Sequence, residues 1–177
     1  MGPIDLLIIF VAVGVVAFLT YQRMARALFS LAVLWAATMF SALLYKEAAY
    51  RIKAVAGPNT SATEGAMFIG LFVLFFVVGY VLIHVSFPVT RLPKIGFLDY
   101  VMGFLLAIII AAVMVALFEN AVGVMVSERW TNSNSWASLW NDFINSPLRP
   151  FSHTLLGVYR WLFAPFLRPL PPVLMPQ

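Results

Sequence analysis

Four strongly apolar stretches without a charged residue dominate the first two thirds of this chain. They are Leu6–Gln22, Ala27–Tyr45, Gly65–Thr90 and Tyr100–Phe118, and the shortest has 17 residues. An α-helix rises about 1.5 Å per residue, so roughly 20 apolar residues cross a hydrocarbon layer of about 30 Å. The pattern therefore predicts an all-α integral membrane protein with four transmembrane helices.

The composition agrees with a surface that faces lipid. Hydrophobic residues make up 63% of the 177 residues and charged residues 10%, whereas soluble domains are only about 45–50% apolar. The net charge of +4 comes from basic residues scattered singly at the ends of apolar stretches, which favours anionic lipid headgroups over nucleic acid as a partner. The absence of cysteine excludes disulfides and thiolate metal sites.

The basic residues between the stretches predict an orientation. Arg23 and Arg26 follow the first stretch, and Arg91 and Lys94 follow the third, so four helices would put all four residues on one side of the bilayer. The positive-inside rule makes that side cytoplasmic and both termini external. The start of the chain has no basic region ahead of its apolar stretch, so we interpret that stretch as a retained helix and not a signal peptide.

Several polar residues flank the predicted helices. Asp5 and Asp99 begin the first and fourth helices, where an acidic residue interacts favourably with the helix dipole. Proton or ion handling is the alternative, although the predicted topology puts the two residues on opposite sides of the membrane. Ser61 and Glu64 have the spacing of a capping box that opens the third helix. His84 is interpreted as an interfacial histidine, with a proton relay or a metal ligand as the alternative.

Small residues recur every fourth position in the fourth stretch, at Gly103, Ala107 and Ala111. Small residues let helix backbones approach closely in lipid, so this row predicts a helix-packing interface. We favour packing within the chain, with self-association as the alternative.

The chain changes character after Phe118 and becomes amphipathic and rich in tryptophan and proline. Trp136, Trp140 and Phe143 recur at helical spacing, and a second stripe contains Leu155, Tyr159, Leu162 and Phe166. These patterns predict one or two amphipathic helices at the membrane surface, followed by a proline-rich end that is either a docking arm or disordered. We therefore divide the chain into a transmembrane domain, 1–120, and a membrane-surface tail, 121–177. The residues expected to anchor the chain at the membrane interfaces are Arg23, Arg26, Arg91, Lys94, Trp136, Trp140, Tyr159 and Trp161.

No pattern of catalytic chemistry is present in the sequence. There is no serine with a histidine and an acid at useful positions, no glycine-rich phosphate loop and no paired carboxylates at a catalytic spacing. We therefore predict a protein that is not an enzyme and has no cofactor and no metal site, and the sequence identifies no small-molecule substrate.

Two short segments resemble the CvpA family, the bacterial inner-membrane proteins named for colicin V production. The segment Ile4-Asp5-Leu6-Leu7-Ile8 is similar to the opening of that family. Gly96-Phe-Leu-Asp99-Tyr-Val-Met-Gly103 is similar to its Gly-x-x-Asp-Arg-x-x-Gly pattern. The resemblance covers about residues 4–120. Tyr100 replaces the arginine of the pattern.

The resemblance implies a four-helix protein of the bacterial cytoplasmic membrane that serves envelope homeostasis, secretion or colicin production. We expect a non-enzymatic scaffold or assembly protein that binds the bilayer and either other membrane proteins or itself. One alternative is an accessory subunit of a large respiratory, photosynthetic or secretory complex, and a second is a small oligomeric channel. Asp5, Gly96 and Asp99 are the positions that match the family's motifs.

Overall fold

The fold is built from helices throughout the part of the chain that the structure describes. The computed structural model describes residues 2–20, 23–56, 60–86, 96–128, 133–167 and 171–175, and these ranges contain no strand. The helices are α1 (Pro3–Thr20), α2 (Arg23–Ala56), α3 (Thr60–Ser86), α4 (Gly96–Val126), α5 (Ser133–Ile144), α6 (Arg149–Phe163) and a 3-10 turn (Pro172–Leu174). The predicted all-α class is confirmed.

Three of these helices are long and apolar enough to cross a membrane. Their candidate spans are Met24–Ile52 in α2, Ser61–Ser86 in α3 and Phe97–Val126 in α4. The apolar part of α1, Asp5–Thr20, is a shorter helix. The chain therefore has the helices of a multi-pass membrane protein, with three candidate spans among the described residues.

The long helices run alternately up and down, with α4 in contact with most of the others. The start of α1 lies beside residues that follow α5, because Ser146 is hydrogen-bonded to Asp5. At the opposite end of the bundle, the start of α4 meets the start of α2 through Asp99 and Met24. Helix α4 packs against α1, α2, α3 and α6, while α2 and α3 form the most extensive pair. This arrangement makes α4 the centre of the bundle.

Aromatic rings fill much of the space between the helices. Phe72 of α3 is completely buried, and its ring meets that of Phe118 on α4 edge to face, with centroids 5.6 Å apart. The ring of Phe68 meets that of Tyr45 on α2 in the same way at 6.1 Å. Because lipid removes most of the hydrophobic drive between helices, close packing of this kind stabilises the bundle.

Helix α3 approaches α4 closely near its own first turns. A Cβ atom added to Gly65 would lie 2.7 Å from the carbonyl oxygen of Ala121, so only glycine fits there without a shift of the backbone. The hydroxyl of Ser61 donates to the carbonyl oxygen of Met125 at 3.2 Å. Helix α3 already begins at Thr60, so Ser61 lies inside the helix and not before its first residue. Its hydroxyl links α3 to α4, which differs from the predicted capping-box role.

The tail packs into the bundle, which differs from the predicted separate surface segment. The buried face of α6 consists of Ser152, Leu156, Tyr159 and Phe163. The indole ring of Trp35 on α2 stacks on the Phe163 ring with centroids 5.6 Å apart. Residues of α6 and of α1 to α4 share one hydrophobic core. An amphipathic stripe suits a protein groove as well as a lipid surface, so periodicity alone could not distinguish the two.

The predicted boundary at residue 120 also differs from the structure. Helix α4 continues through it to Val126, and the side-chain amide of Asn120 donates to the carbonyl oxygen of Val173. Glu119 ends the uncharged run in the sequence, but the helix continues past it.

Candidate functional site

A buried group of polar side chains lies where α1 begins, α4 approaches its end and α5 leads into α6. We call Asp5, Glu119 and Ser146 the polar cluster. Their exposed fractions are 2%, 2% and 6%. The Ser146 hydroxyl donates to Oδ1 of Asp5 at 2.7 Å, and the backbone N–H of Gly2 donates to Oδ2 at 3.0 Å. Both oxygens of the Asp5 carboxyl are therefore hydrogen-bonded.

Glu119 is the third member of the polar cluster and lies within the candidate span of α4. Its carboxyl lies near the side chain of Ser146 and interacts electrostatically with Asp5 and Arg149. Its Oε1 atom is buried and has no hydrogen-bond partner among the described residues. A buried carboxyl oxygen without a partner is costly in an apolar environment, so Glu119 is the member of the polar cluster that its surroundings satisfy least.

The segment after α5 completes the cluster. The backbone N–H of Leu148 donates to the Ser146 hydroxyl oxygen at 3.2 Å. The guanidinium of Arg149 lies over the Phe143 ring, 4.9 Å from its centroid. Ser146 thus hydrogen-bonds both to the start of α1 and to the residues that open α6, so it connects parts of the chain that are far apart in sequence.

A third buried carboxyl group lies at the opposite end of the bundle. Asp99 is 1% exposed, and its Oδ1 accepts a hydrogen bond from the backbone N–H of Met24 at 3.0 Å. Asp5 and Asp99 lie in the first turns of α1 and α4, as the sequence predicts. Asp99 additionally binds a free N–H group at the start of α2, so it caps a neighbouring helix.

The row of small residues on α4 faces the interior of the bundle. Gly103 is buried, and the exposed fractions of Ala107 and Ala111 are 0% and 4%. The chain's own helices therefore cover this interface. It is not a free surface for a second copy of the folded chain. Gly96 is the first residue of α4.

The residues predicted to anchor the chain at the membrane interfaces fall into different environments. Trp136 is half-buried and stacks on Trp140 at 5.5 Å, while its indole N–H donates to the carbonyl oxygen of Val126 at 3.1 Å. Trp161 is exposed and Arg26 is half-buried. Arg91, Lys94 and the side chain of Arg23 lie outside the described residues.

Tyr159 differs from its predicted role at the interface. It is buried, and its hydroxyl lies 3.2 Å from the hydroxyl of Thr38, which is midway along the candidate span of α2. His84 is exposed near the end of α3, where its ring stacks on that of Tyr80 with centroids 6.4 Å apart.

Glu119, Ser146 and Arg149 were not identified from the sequence. One signal was available for the first of them. Glu119 and Asn120 interrupt a run that becomes apolar again from Ala121 to Val126, so a helix continuing through both would carry a carboxyl into an apolar environment. Ser146 and Arg149 gave no such signal, because their importance depends on contacts with residues about 140 and 30 positions away.

Comparison with known protein families identifies the family to which the chain is related. The family model described as colicin V production protein matches residues 4–152, which is most of the chain. The chain belongs to the colicin V production protein family. The match continues beyond the predicted end of the resemblance at residue 120 and includes α5, Ser146 and the start of α6. No curated protein and no solved structure matches this chain.

Membership in the colicin V production family and the three candidate spans together indicate a multi-pass protein of the inner membrane, linked to colicin V production. The matched region contains all three members of the polar cluster as well as Asp99.

Proposed function

We propose that this member of the colicin V production family is a non-enzymatic scaffold of the inner membrane, which acts by binding another membrane protein through the outer face of α3. The observation that carries the proposal is the unequal burial of the spans. Of the most apolar 18 residues, 11% are buried inside the chain in α3 and 50% in α4. The small-residue face of α4 is already covered, so α3 offers the larger apolar surface.

A fourth span is part of this proposal. Helix α1 has 18 residues, which at about 1.5 Å per residue gives roughly 27 Å, close to the thickness of the hydrocarbon layer. It packs along α4, from the polar cluster towards the end where Asp99 contacts Met24. With four spans, the start of α1 and the end of α4 would both lie on the periplasmic side. The arginines that follow α1 would lie on the opposite, cytoplasmic side.

Site-specific photo-crosslinking in the native membrane tests the scaffold function. A photoreactive amino acid at Val81, which is 51% exposed on α3, should give a discrete adduct with a second membrane protein. The same group at Phe72, which is fully buried on the same helix, is the matched control and should react only within the chain. If Val81 gives lipid adducts alone, the scaffold function is lost.

Native mass spectrometry in mild detergent then separates the scaffold from its alternative. Co-purification with one partner, or with partners in less than stoichiometric amounts, would agree with a role as an assembly protein. A stoichiometric set of larger membrane subunits would replace the proposal with an accessory subunit of a large complex.

A further inference from the structure

We propose that α6 is a re-entrant helix. It enters the membrane from the side on which α1 begins, ends near the middle of the bilayer, and is followed by a return of the chain to the same side. Its outer face contacts the lipids of that one leaflet. This interaction surface goes beyond the scaffold function and does not depend on it.

Helix α6 begins at the end of the bundle where α1 also begins. The backbone N–H of Leu148, which directly precedes α6, donates to the Ser146 hydroxyl oxygen at 3.2 Å. The same hydroxyl donates to Asp5 in the first turn of α1. Helix α2 begins at the opposite end, where the N–H of Met24 donates to Asp99. A helix that runs from the first end along α2 must therefore run antiparallel to it.

The contacts of α6 with α2 move into the membrane from one turn to the next. The hydroxyl of Tyr159 lies 3.2 Å from that of Thr38, midway along the candidate span of α2. One turn later in α6, the ring of Phe163 stacks on that of Trp35 with centroids 5.6 Å apart. Trp35 lies about one turn nearer to the start of α2 than Thr38. Helix α6 therefore points inward, whereas a helix on the membrane surface would cross α2 at a single level.

The length of α6 fits half of the membrane and not all of it. At about 1.5 Å per residue, the rise from Arg149 to Tyr159 is roughly 15 Å, half of a hydrocarbon layer of about 30 Å. The whole helix has 15 residues and measures about 22 Å, which is too short to cross that layer. A helix that starts at one surface and runs inward over this length ends inside the membrane.

The chain returns to the end of the bundle at which α6 begins. The side-chain amide of Asn120, next to Glu119 of the polar cluster, donates to the carbonyl oxygen of Val173. Val173 is completely buried. Leu167 is six residues earlier, and six residues can span up to about 20 Å, enough to return across half of the membrane. Residues 168–170 between them lie outside the described part of the chain.

The backbone at the inner end of α6 is hydrogen-bonded, as an end inside the membrane requires. The N–H groups of Phe166 and Leu167 both donate to the carbonyl oxygen of Phe163 at 2.9 Å. Pro165 has no N–H that would need an acceptor. Leu167 is buried and belongs to the hydrophobic core. Non-helical backbone is tolerated at membrane depth where protein covers it, and the core gives Leu167 that cover.

The outer face of α6 fits the lipids of one leaflet. Phe151, Val158 and Leu162 share a face because they are seven and four residues apart, and their exposed fractions are 46%, 66% and 46%. Arg160 is also exposed. Its Cα–Cβ bond leans towards the start of the helix, so its long side chain can extend back to the phosphates of the leaflet that α6 enters.

Nitroxide labels at three positions measure the depth of α6 in the membrane. The chain has no cysteine, so Phe151→Cys, Val158→Cys and Leu162→Cys each give a single label on the full chain in phosphatidylethanolamine–phosphatidylglycerol liposomes. Power saturation with oxygen and with a water-soluble nickel complex reports the depth. The depth should increase in that order, by up to about 16 Å from first to last. Equal depths at the three positions would show a surface helix and overturn the proposal.

Two labels on α3 are the matched controls for this depth scale. Val73 and Val85 are exposed, and they lie near the middle and the end of the candidate span Ser61–Ser86. Val73→Cys should therefore be deep and Val85→Cys shallow. Leu162→Cys should resemble the former and Phe151→Cys the latter.

Cysteine accessibility tests the return of the chain. Met175 is 39% exposed and follows the buried residues Val173 and Leu174. In intact spheroplasts, Met175→Cys should react with an impermeant maleimide under the same conditions as Glu128→Cys, which is exposed just after the end of α4. If Met175→Cys instead reacted only from the opposite side of the membrane, the chain would cross completely after α5, and the re-entrant helix would be excluded.

Discussion

A single carboxylate at one end of the bundle fixes the relative position of two helices. Oδ1 of Asp99 accepts a hydrogen bond from the backbone N–H of Met24, one of the groups that a helix leaves unpaired at its start. The contact joins residues 75 positions apart in the chain. Asp99 therefore contributes to tertiary structure as well as to the dipole interaction expected of its own helix.

Replacing Asp99 should destabilise the bundle in a graded way. Asp99→Ala leaves the Met24 N–H without this acceptor, and an unsatisfied buried donor costs about 1–3 kcal/mol. Asp99→Asn keeps a carbonyl oxygen and should lose less. Thermal unfolding in detergent measures both effects, with Glu47→Ala at an exposed position as the control. Equal unfolding temperatures for Asp99→Ala and wild type would show that the contact contributes nothing.

The hydroxyl of Tyr159 should make stability depend on pH at the alkaline end. Burial raises the pKa of Tyr159 to about 12, although its hydrogen bond with Thr38 acts in the opposite direction. An unfolded tyrosine has a pKa of about 10. The neutral phenol therefore contributes stability that is complete below about pH 10 and is lost as the pH rises to about 12.

Tyr159→Phe should remove this alkaline loss and lower the free energy of unfolding at neutral pH by about 1 kcal/mol, the usual net value of one hydrogen bond. Unfolding experiments across the alkaline range measure both changes. Tyr50→Phe is the control, because Tyr50 is 75% exposed, and it should keep the wild-type pH profile. If Tyr159→Phe kept the wild-type dependence of stability on pH, the Tyr159 hydroxyl would not be the cause of the alkaline loss.

At the scale of elements, two glycines on α3 have opposite requirements. Gly65 lies against the backbone of α4, where an added Cβ would come within 2.7 Å of the Ala121 carbonyl oxygen. Gly70, little more than one turn later, has nothing within 4 Å of an added Cβ. The two positions form a matched pair on one helix.

Gly65→Ala should destabilise the protein by about 1–3 kcal/mol through overpacking against a backbone atom. Gly70→Ala should be neutral or stabilise it by up to about 1 kcal/mol, since alanine favours a helix more than glycine does. Unfolding temperatures in the same detergent compare the two variants. If the two variants had the same unfolding temperature, the close contact between Gly65 and the backbone of α4 would be contradicted.

The helical elements were largely predictable from the sequence, whereas their partners were not. Uncharged runs long enough to cross a bilayer identified α2, α3 and α4, because few other structures tolerate such composition. The stripe around Tyr159 identified a helix but not its location. Its hydroxyl is paired with Thr38, 121 residues away, and no local pattern encodes such a contact.

The candidate site was predictable only in part for the same reason. Asp5 was identified from its position at a helix start, yet its partner Ser146 lies 141 residues later. Glu119 was treated as the end of a span, although α4 continues to Val126. Acidic residues that interrupt an apolar run are ambiguous until the length of the helix is known.

At the scale of the whole molecule, the number of spans determines whether the start of α1 and the end of α4 lie on the same side of the membrane. The chain contains no cysteine, so single cysteines can be introduced without any background. With four spans, Glu128→Cys should react with an impermeant maleimide in intact spheroplasts, together with an accessible N-terminal tag. Ser86→Cys should react only after permeabilisation. Both cysteine positions are exposed and lie at opposite ends of the bundle.

The tag separates four spans from three. If α1 does not cross the membrane, the tag would lie on the side of Ser86→Cys and opposite to Glu128→Cys. That result would remove the fourth span and would separate Asp5 from Ser146, to which it is hydrogen-bonded here, while leaving the family membership unaffected.

The central position of α4 has a consequence for how this sequence can diverge. A helix that contacts α1, α2, α3 and α6 can accept few substitutions without a matching change in a neighbour. The outer face of α3 can exchange one apolar residue for another almost freely. Among homologues, we therefore expect α4 to change slowest and in correlated pairs, and the outer positions of α3 to drift unless a partner constrains them.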